Sequence, residues 1–180
     1  MHGIIFNQLQ KYLRDRSGPS AWLALLNTQG LEKKIYLPTQ IYPDQELISL
    51  ISGIAGNQQK SVEQILEDFG QFIVADLFKI YSGMIRPEWR TLDVLEHTEN
   101  TMHKAVRHSD RNATPPELLC IRVNQREVVI DYSSRRHLSS LGVGIIKGIS
   151  AHYGEKTLIQ VRHYQAANGE KACKISVTLV

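Results

Sequence analysis

Residues 113–136 read ATPPELLCIRVNQREVVIDYSSRR, and at this stretch the pattern of the chain changes. The runs LLCIRV (118–123) and VVIDYS (128–133) are apolar and β-branched. They are parted by Asn124-Gln125-Arg126-Glu127, so the segment predicts a β-hairpin. Beyond it, a helical stretch is expected at about 136–153. Two further strands, TLIQVRHY (157–164) and ACKISVTL (172–179), follow on either side of Ala166-Ala167-Asn168-Gly169, whose Asn-Gly pair suits a tight turn. Before the double proline the spacing is helical. Ile4, Ile5, Leu9, Tyr12 and Leu13 recur on one face until Ser17-Gly18-Pro19, and further helices are expected at about 20–28, 43–57, 61–80 and 88–108. Asp44 marks one helix start, and Ser61 with Gln64 spells a capping box at another. The expectation is an α+β fold: a helical N-terminal part and a mainly antiparallel sheet of about four strands with an inserted helix.

The chain of 180 residues suits one domain, with 42% hydrophobic and 22% charged residues, as in ordinary globular proteins. Lysine and arginine number 21 against 18 acidic residues, and a net charge of +3 is too small and scattered to expect nucleic acid as partner. Cys120 and Cys173 form no CxxC pair, which fits a reducing compartment. The N-terminal residues lack the pattern of a signal peptide, and the most apolar run, LGVGIIKGI, is far below the ~20 residues a membrane-crossing helix needs. A cytoplasmic protein with no membrane partner is therefore expected. Asn112-Ala113-Thr114 is formally a glycosylation acceptor, but Pro115 follows it and we read it as chance.

Three features carry possible chemistry. His103 lies beside an expected helical stripe of Leu95, Thr98, Met102 and Val106, so its imidazole could face the apolar interior; taken alone it reads first as a hydrogen-bonded structural or surface histidine. Tyr132, Ser134 and Arg136 alternate along an expected strand end, so period two places a phenol, a hydroxyl and a guanidinium on one face. That grouping suits carboxylates, although standing alone it reads first as a basic strand end at the surface. Gly142-x-Gly144-x-x-x-Gly148 follows a strand but has Lys147 where a dinucleotide loop needs glycine, so helix packing explains it better. No nucleophile with a base, P-loop or HExxH sequence is present, and an enzyme is not expected.

Together these features resemble the H-NOX family, the haem domains related to the sensor part of soluble guanylate cyclase. The resemblance begins at Met1-His2-Gly3-Ile4-Ile5 and continues through Asp68-Phe69-Gly70-Gln71-Phe72. It is closest at Met102-His103, Ala113-Thr114-Pro115-Pro116 and Tyr132-Ser133-Ser134-Arg135-Arg136. It implies one haem b between a distal helical part (1–60) and a proximal part (61–180) of a single domain. His103 would be the axial iron ligand, and Tyr132, Ser134 and Arg136 would hold the propionates. Pro116 would press on the porphyrin, and Ile5 would line the pocket. The remaining histidines are given no such role.

The resemblance also bears on the gas. Oxygen-binding members place a tyrosine where this chain has Leu141, and Leu9 and Ile73 stand for other distal groups, so binding of nitric oxide and carbon monoxide without dioxygen is implied. Nitric oxide would weaken the bond from iron to His103 and release its helix. A separate histidine kinase or cyclic-dinucleotide enzyme is the partner implied by this length. Some relatives carry a cysteine-rich zinc site, but Ser139 and Leu141 stand where two of its cysteines would be, so no structural zinc is expected. Two other readings remain open at this point: a haem-less interaction module of the same fold, and a domain binding another tetrapyrrole or an apolar metabolite.

Overall fold

Residues 1–110, 113–166, 169 and 171–180 are described by a computed structural model. The helices α1 (Gly3–Ser17), α2 (Ala21–Thr28), α3 (Asp44–Gln58) and α4 (Val62–Ile80) come first. After them stand α5 (Thr91–His97), a π-helical turn (Glu99–His103) and α6 (Lys104–Ser109). The strands are β1 (Glu117–Asn124), β2 (Glu127–Ser133), β3 (Thr157–Gln165) and β4 (Lys171–Leu179), with α7 (Ser139–His152) between β2 and β3. The sheet order is β1-β2-β4-β3, every neighbouring pair antiparallel, so the expected α+β architecture with an inserted helix is the one that forms. Among the described residues no helix is long and apolar enough to cross a membrane.

The start of α4 follows its sequence closely. Ser61 Oγ accepts the Gln64 N–H at 3.1 Å and Gln64 Oε1 accepts the Ser61 N–H at 2.9 Å, completing the capping box. α3 begins one residue differently. Pro43 stands at its cap and Asp44 is its first residue, leaving the carboxylate free for the partners described below.

Two apolar clusters meet along α4 and α7. The first gathers Phe6, Leu9, Leu50, Ile54, Phe69 and Ile73 from α1, α3 and α4, and the second joins α5 and α7 to the inner sheet face through Leu92, Val128, Ile130, Ile146 and Ile175. α4 and α7 touch backbone to backbone: a Cβ on Gly144 would lie 2.2 Å from the Glu67 carbonyl oxygen, and one on Gly148 would lie 2.9 Å from the Gln71 carbonyl oxygen. These glycines serve helix packing, as the sequence suggests.

Two segments differ from expectation. The single helix expected at 88–108 is interrupted. Thr98 and Thr101 donate their hydroxyls at 2.7 Å to the carbonyls of Val94 and His97, competing with the regular ladder, and the His103 N–H reaches back to the Thr98 carbonyl at 3.1 Å. The stripe of Leu95, Thr98, Met102 and Val106 therefore does not run unbroken. The second difference follows β2, which stops at Ser133. Residues 134–137 form a turn ending with His137 in the left-handed region at φ 53°, and α7 starts only at Ser139. In the expected turn at 166–169, Ala167 and Asn168 lie outside the described residues, as does Asn112 of the acceptor triplet.

Candidate functional site

His103 ends the π turn with its side chain 18% exposed. Its Nδ1 lies 2.9 Å from Glu99 Oε2. A carboxylate can only accept, so Nδ1 carries the proton, and in the neutral imidazole the lone pair is then on Nε2. Burial holds the His103 pKa below its ordinary value against the opposing pull of the Glu99 hydrogen bond and charge and a smaller one from the Pro116 carbonyl. Glu99 Oε2 also accepts the Leu118 N–H at 3.2 Å, and its Oε1 accepts the Arg107 guanidinium. Pro116, half-buried, therefore stands beside the His103 ring, where β1 begins. Met102 packs on the second apolar cluster together with Leu118. The helical segment is fixed to β1 from the other side by Arg122, which reaches Asp93 at 2.5 Å and Glu96 at 3.1 Å.

Tyr132 is 7% exposed and stands in register between Leu118 and Cys173. Burial raises its phenol pKa, opposed by a hydrogen bond with the Ser134 side chain. Ser134 Oγ in turn accepts the Arg136 N–H at 3.3 Å. The three side chains are thus brought together by a turn, not by the strand alternation expected: the alternation ends with β2, and the serine-centred turn folds Arg136 back.

Arg136 is held at three points. Its Nη2 donates to Thr114 Oγ1 at 2.8 Å, its Nη1 donates to the Thr114 carbonyl, and its Nε lies 2.9 Å from Asp44 Oδ2. That last pair is close but misaligned as a hydrogen bond, so Nε is buried without a proper acceptor. Asp44 also accepts from the Met1 ammonium at 2.6 Å. Burial alone would raise its carboxyl pKa, but the hydrogen bond from Met1 and the adjacent charges of Arg136 and the Met1 ammonium hold it below the ordinary value.

These groups fit a ligand with a metal and carboxylate arms. A neutral imidazole with its Nε2 lone pair available suits ferrous iron. A phenol, a hydroxyl and a guanidinium already facing one carboxylate, with an unsatisfied Nε, suit propionates.

Leu9 and Ile73 are buried in the first apolar cluster, and half-buried Ile5 and Leu141 pack against it. None of the four can donate a hydrogen bond. Tyr12 is buried in the same cluster, and burial and the charge of Asp68 raise its phenol pKa against the charges of Lys60 and Arg16. Gln8, on the α1 face of Ile5 and Leu9 by helical spacing, has a buried Oε1 without a hydrogen-bond partner. Sequence reasoning passed over Gln8, Asp44 and Glu99. Glu99 did leave a signal, since it stands four residues before His103.

The chain matches the family described as haem-NO-binding over residues 2–161. It is similar in structure to an H-NOX protein from S. oneidensis in the Fe(II)NO ligation state, with a TM-score of 0.88, 23% identity, and 100% of this chain and 99% of that one covered. It also resembles the Fe(II) unliganded H-NOX protein from K. algicida, with a TM-score of 0.85, 18% identity, and 100% and 97% covered. The I5F mutant of T. tengcongensis H-NOX gives a TM-score of 0.85 at 20% identity, with 99% and 97% covered. At these identities the likeness shows a shared fold. No curated protein matches the sequence.

Proposed function

The chain belongs to the haem-NO-binding family, and from that premise we propose that it holds one haem b through His103 and senses nitric oxide. The observation that carries this reading is the contact of His103 Nδ1 with the Glu99 carboxylate, which in the neutral imidazole leaves Nε2 as the ligating nitrogen. Tyr132, Ser134 and Arg136 hold the propionates, with Thr114 keeping the guanidinium in place. Pro116 bears on the porphyrin face beside His103, where Met102 adds apolar contact. Haem, when bound, supplies a ferrous iron open to nitric oxide or carbon monoxide on the face opposite His103.

Ile5, Leu9, Ile73 and Leu141 line that opposite face and exclude water. They offer no proton to a polar bound dioxygen, so the site selects against it. His103, as the residue that would hold the iron, would transmit the signal by its release. Its π turn and α6 are then restrained only by protein contacts, and the helices of residues 1–60, the distal part, move relative to residues 61–180, the proximal part. The chain acts as a cytoplasmic sensor rather than an enzyme and passes this change to a separate histidine kinase or cyclic-dinucleotide enzyme.

An anaerobic ferrous absorption spectrum tests this. A Soret band that moves on adding nitric oxide, with no stable oxygen complex in air, is the expected result. A protein purified under haem-replete conditions without a Soret band overturns the reading. A stable oxygen complex overturns the selectivity and points to Gln8 as donor.

A further inference from the structure

Glu99 occupies a position that pairing with Arg107 alone would not require. Its carboxylate is shared: Oε1 takes the Arg107 guanidinium, and Oε2 takes both His103 Nδ1 at 2.9 Å and the Leu118 N–H at 3.2 Å. The Leu118 bond anchors the group to β1, so the carboxylate cannot swing away from the imidazole without breaking a contact to the sheet. Its side chain is 22% exposed, the histidine 18% and Arg107 38%, so the imidazole end is the drier one and the arginine end meets solvent. The π turn sets the phase. Its i to i−5 bond from His103 to Thr98 lets His103 face the strand start while remaining one turn beyond Glu99.

Resting on the haem reading above, we infer that Glu99 is a positioning residue for His103. It fixes the Nδ1–H tautomer, orients the ring so that Nε2 meets the iron, and makes that nitrogen a stronger donor by placing negative charge on the opposite side of the ring. Carboxylates that accept from the second nitrogen of a ligating histidine raise its basicity in this way. Arg107 draws off part of that charge and sets how much reaches the ring. Glu99 would thereby reinforce the hold of His103 on the iron of a bound haem.

Full-length wild-type, Glu99→Gln, Glu99→Leu and Arg107→Gln proteins test this by two readouts. The first is the tautomer of His103 in haem-free protein, from nitrogen-15 NMR of labelled histidine at neutral pH. A single Nδ1–H form is expected in wild type and Glu99→Gln, and a mixture in Glu99→Leu. The second is the iron–histidine stretching frequency of the ferrous protein by resonance Raman. It is expected to fall from wild type through Glu99→Gln to Glu99→Leu and to rise in Arg107→Gln, with haem loss about 10- to 100-fold faster in Glu99→Leu.

A purely structural Glu99 would change stability without moving the frequency in opposite directions for the two partners. A single Nδ1–H form retained in Glu99→Leu, or an unchanged frequency in Glu99→Gln and Glu99→Leu, overturns the inference while leaving the sensor reading intact. If Glu99→Leu does not fold, Glu99→Gln and Arg107→Gln decide it by the same frequency shifts. A wild-type protein that takes up no haem overturns the sensor reading and the iron-directed role together.

Discussion

A Cβ on Gly70 would stand 2.4 Å from the carbonyl oxygen of Leu141, so α4 and α7 are in backbone contact at the residue expected to line the distal face. The packing of the two helices thus sets where Leu141 projects. Gly70→Ala is expected to lower stability by about 1–3 kcal/mol, because neither backbone can yield cheaply. Gly56→Ala, where an added Cβ meets nothing within 4 Å, is expected to gain about 0.5–1 kcal/mol. Urea midpoints of the two variants check this.

Leu141 is half-buried against the cluster that holds Leu9 and Ile73. Leu141→Tyr would bring a phenol donor to an aliphatic wall, and the expected outcome is a ferrous protein that forms an oxygen complex in air. The absorption spectrum under anaerobic and aerobic conditions measures it.

Arg136 offers a charge-assisted bond to a carboxylate, worth about 1.5–3 kcal/mol. Arg136→Leu is expected to weaken haem binding about 10- to 100-fold, measured by transfer of haem to an acceptor globin. Ser134→Ala should weaken it less, since a neutral hydroxyl is lost.

Glu155 accepts the Thr91 N–H at 3.1 Å at the start of α5 and the Arg90 Nε at 3.3 Å. Burial alone would raise its pKa, but the hydrogen bonds from Thr91 and Arg90 and the charge of Arg90 hold it below the ordinary 4.5. The folded value being depressed, the stabilisation is fully present above pH 4.5 and is lost as the pH falls through the folded value. Glu155→Gln is expected to cost about 1 kcal/mol at neutral pH, as for loss of a helix cap. That difference from wild type should shrink on acidification below 4.5, followed by urea unfolding across pH.

Much of this architecture was legible in the sequence because period and punctuation act locally. The β-branched runs around Asn124 became β1 and β2, and the Ser61–Gln64 spacing became a cap. The π turn was not legible: it depends on two threonine hydroxyls bonding backwards rather than outwards, a choice no periodicity records. Alternation predicts Ser134 and Arg136 on one strand face, whereas β2 ends at Ser133 and a turn brings the Arg136 N–H to Ser134 Oγ. The contact of Asp44 with Arg136 joins residues distant in sequence and exists only once α3 is packed. Glu99 could have been found by its spacing from His103, but a glutamate one helical turn from a histidine usually reads as a solvated pair.

The most direct test of the account is the haem content and ferrous spectrum of His103→Gly beside wild type. Loss of the wild-type ferrous spectrum, with most haem lost and both restored by added imidazole, is the predicted result. A variant that retains full haem and an unchanged ferrous spectrum would contradict it, because the iron would then be held by something other than His103.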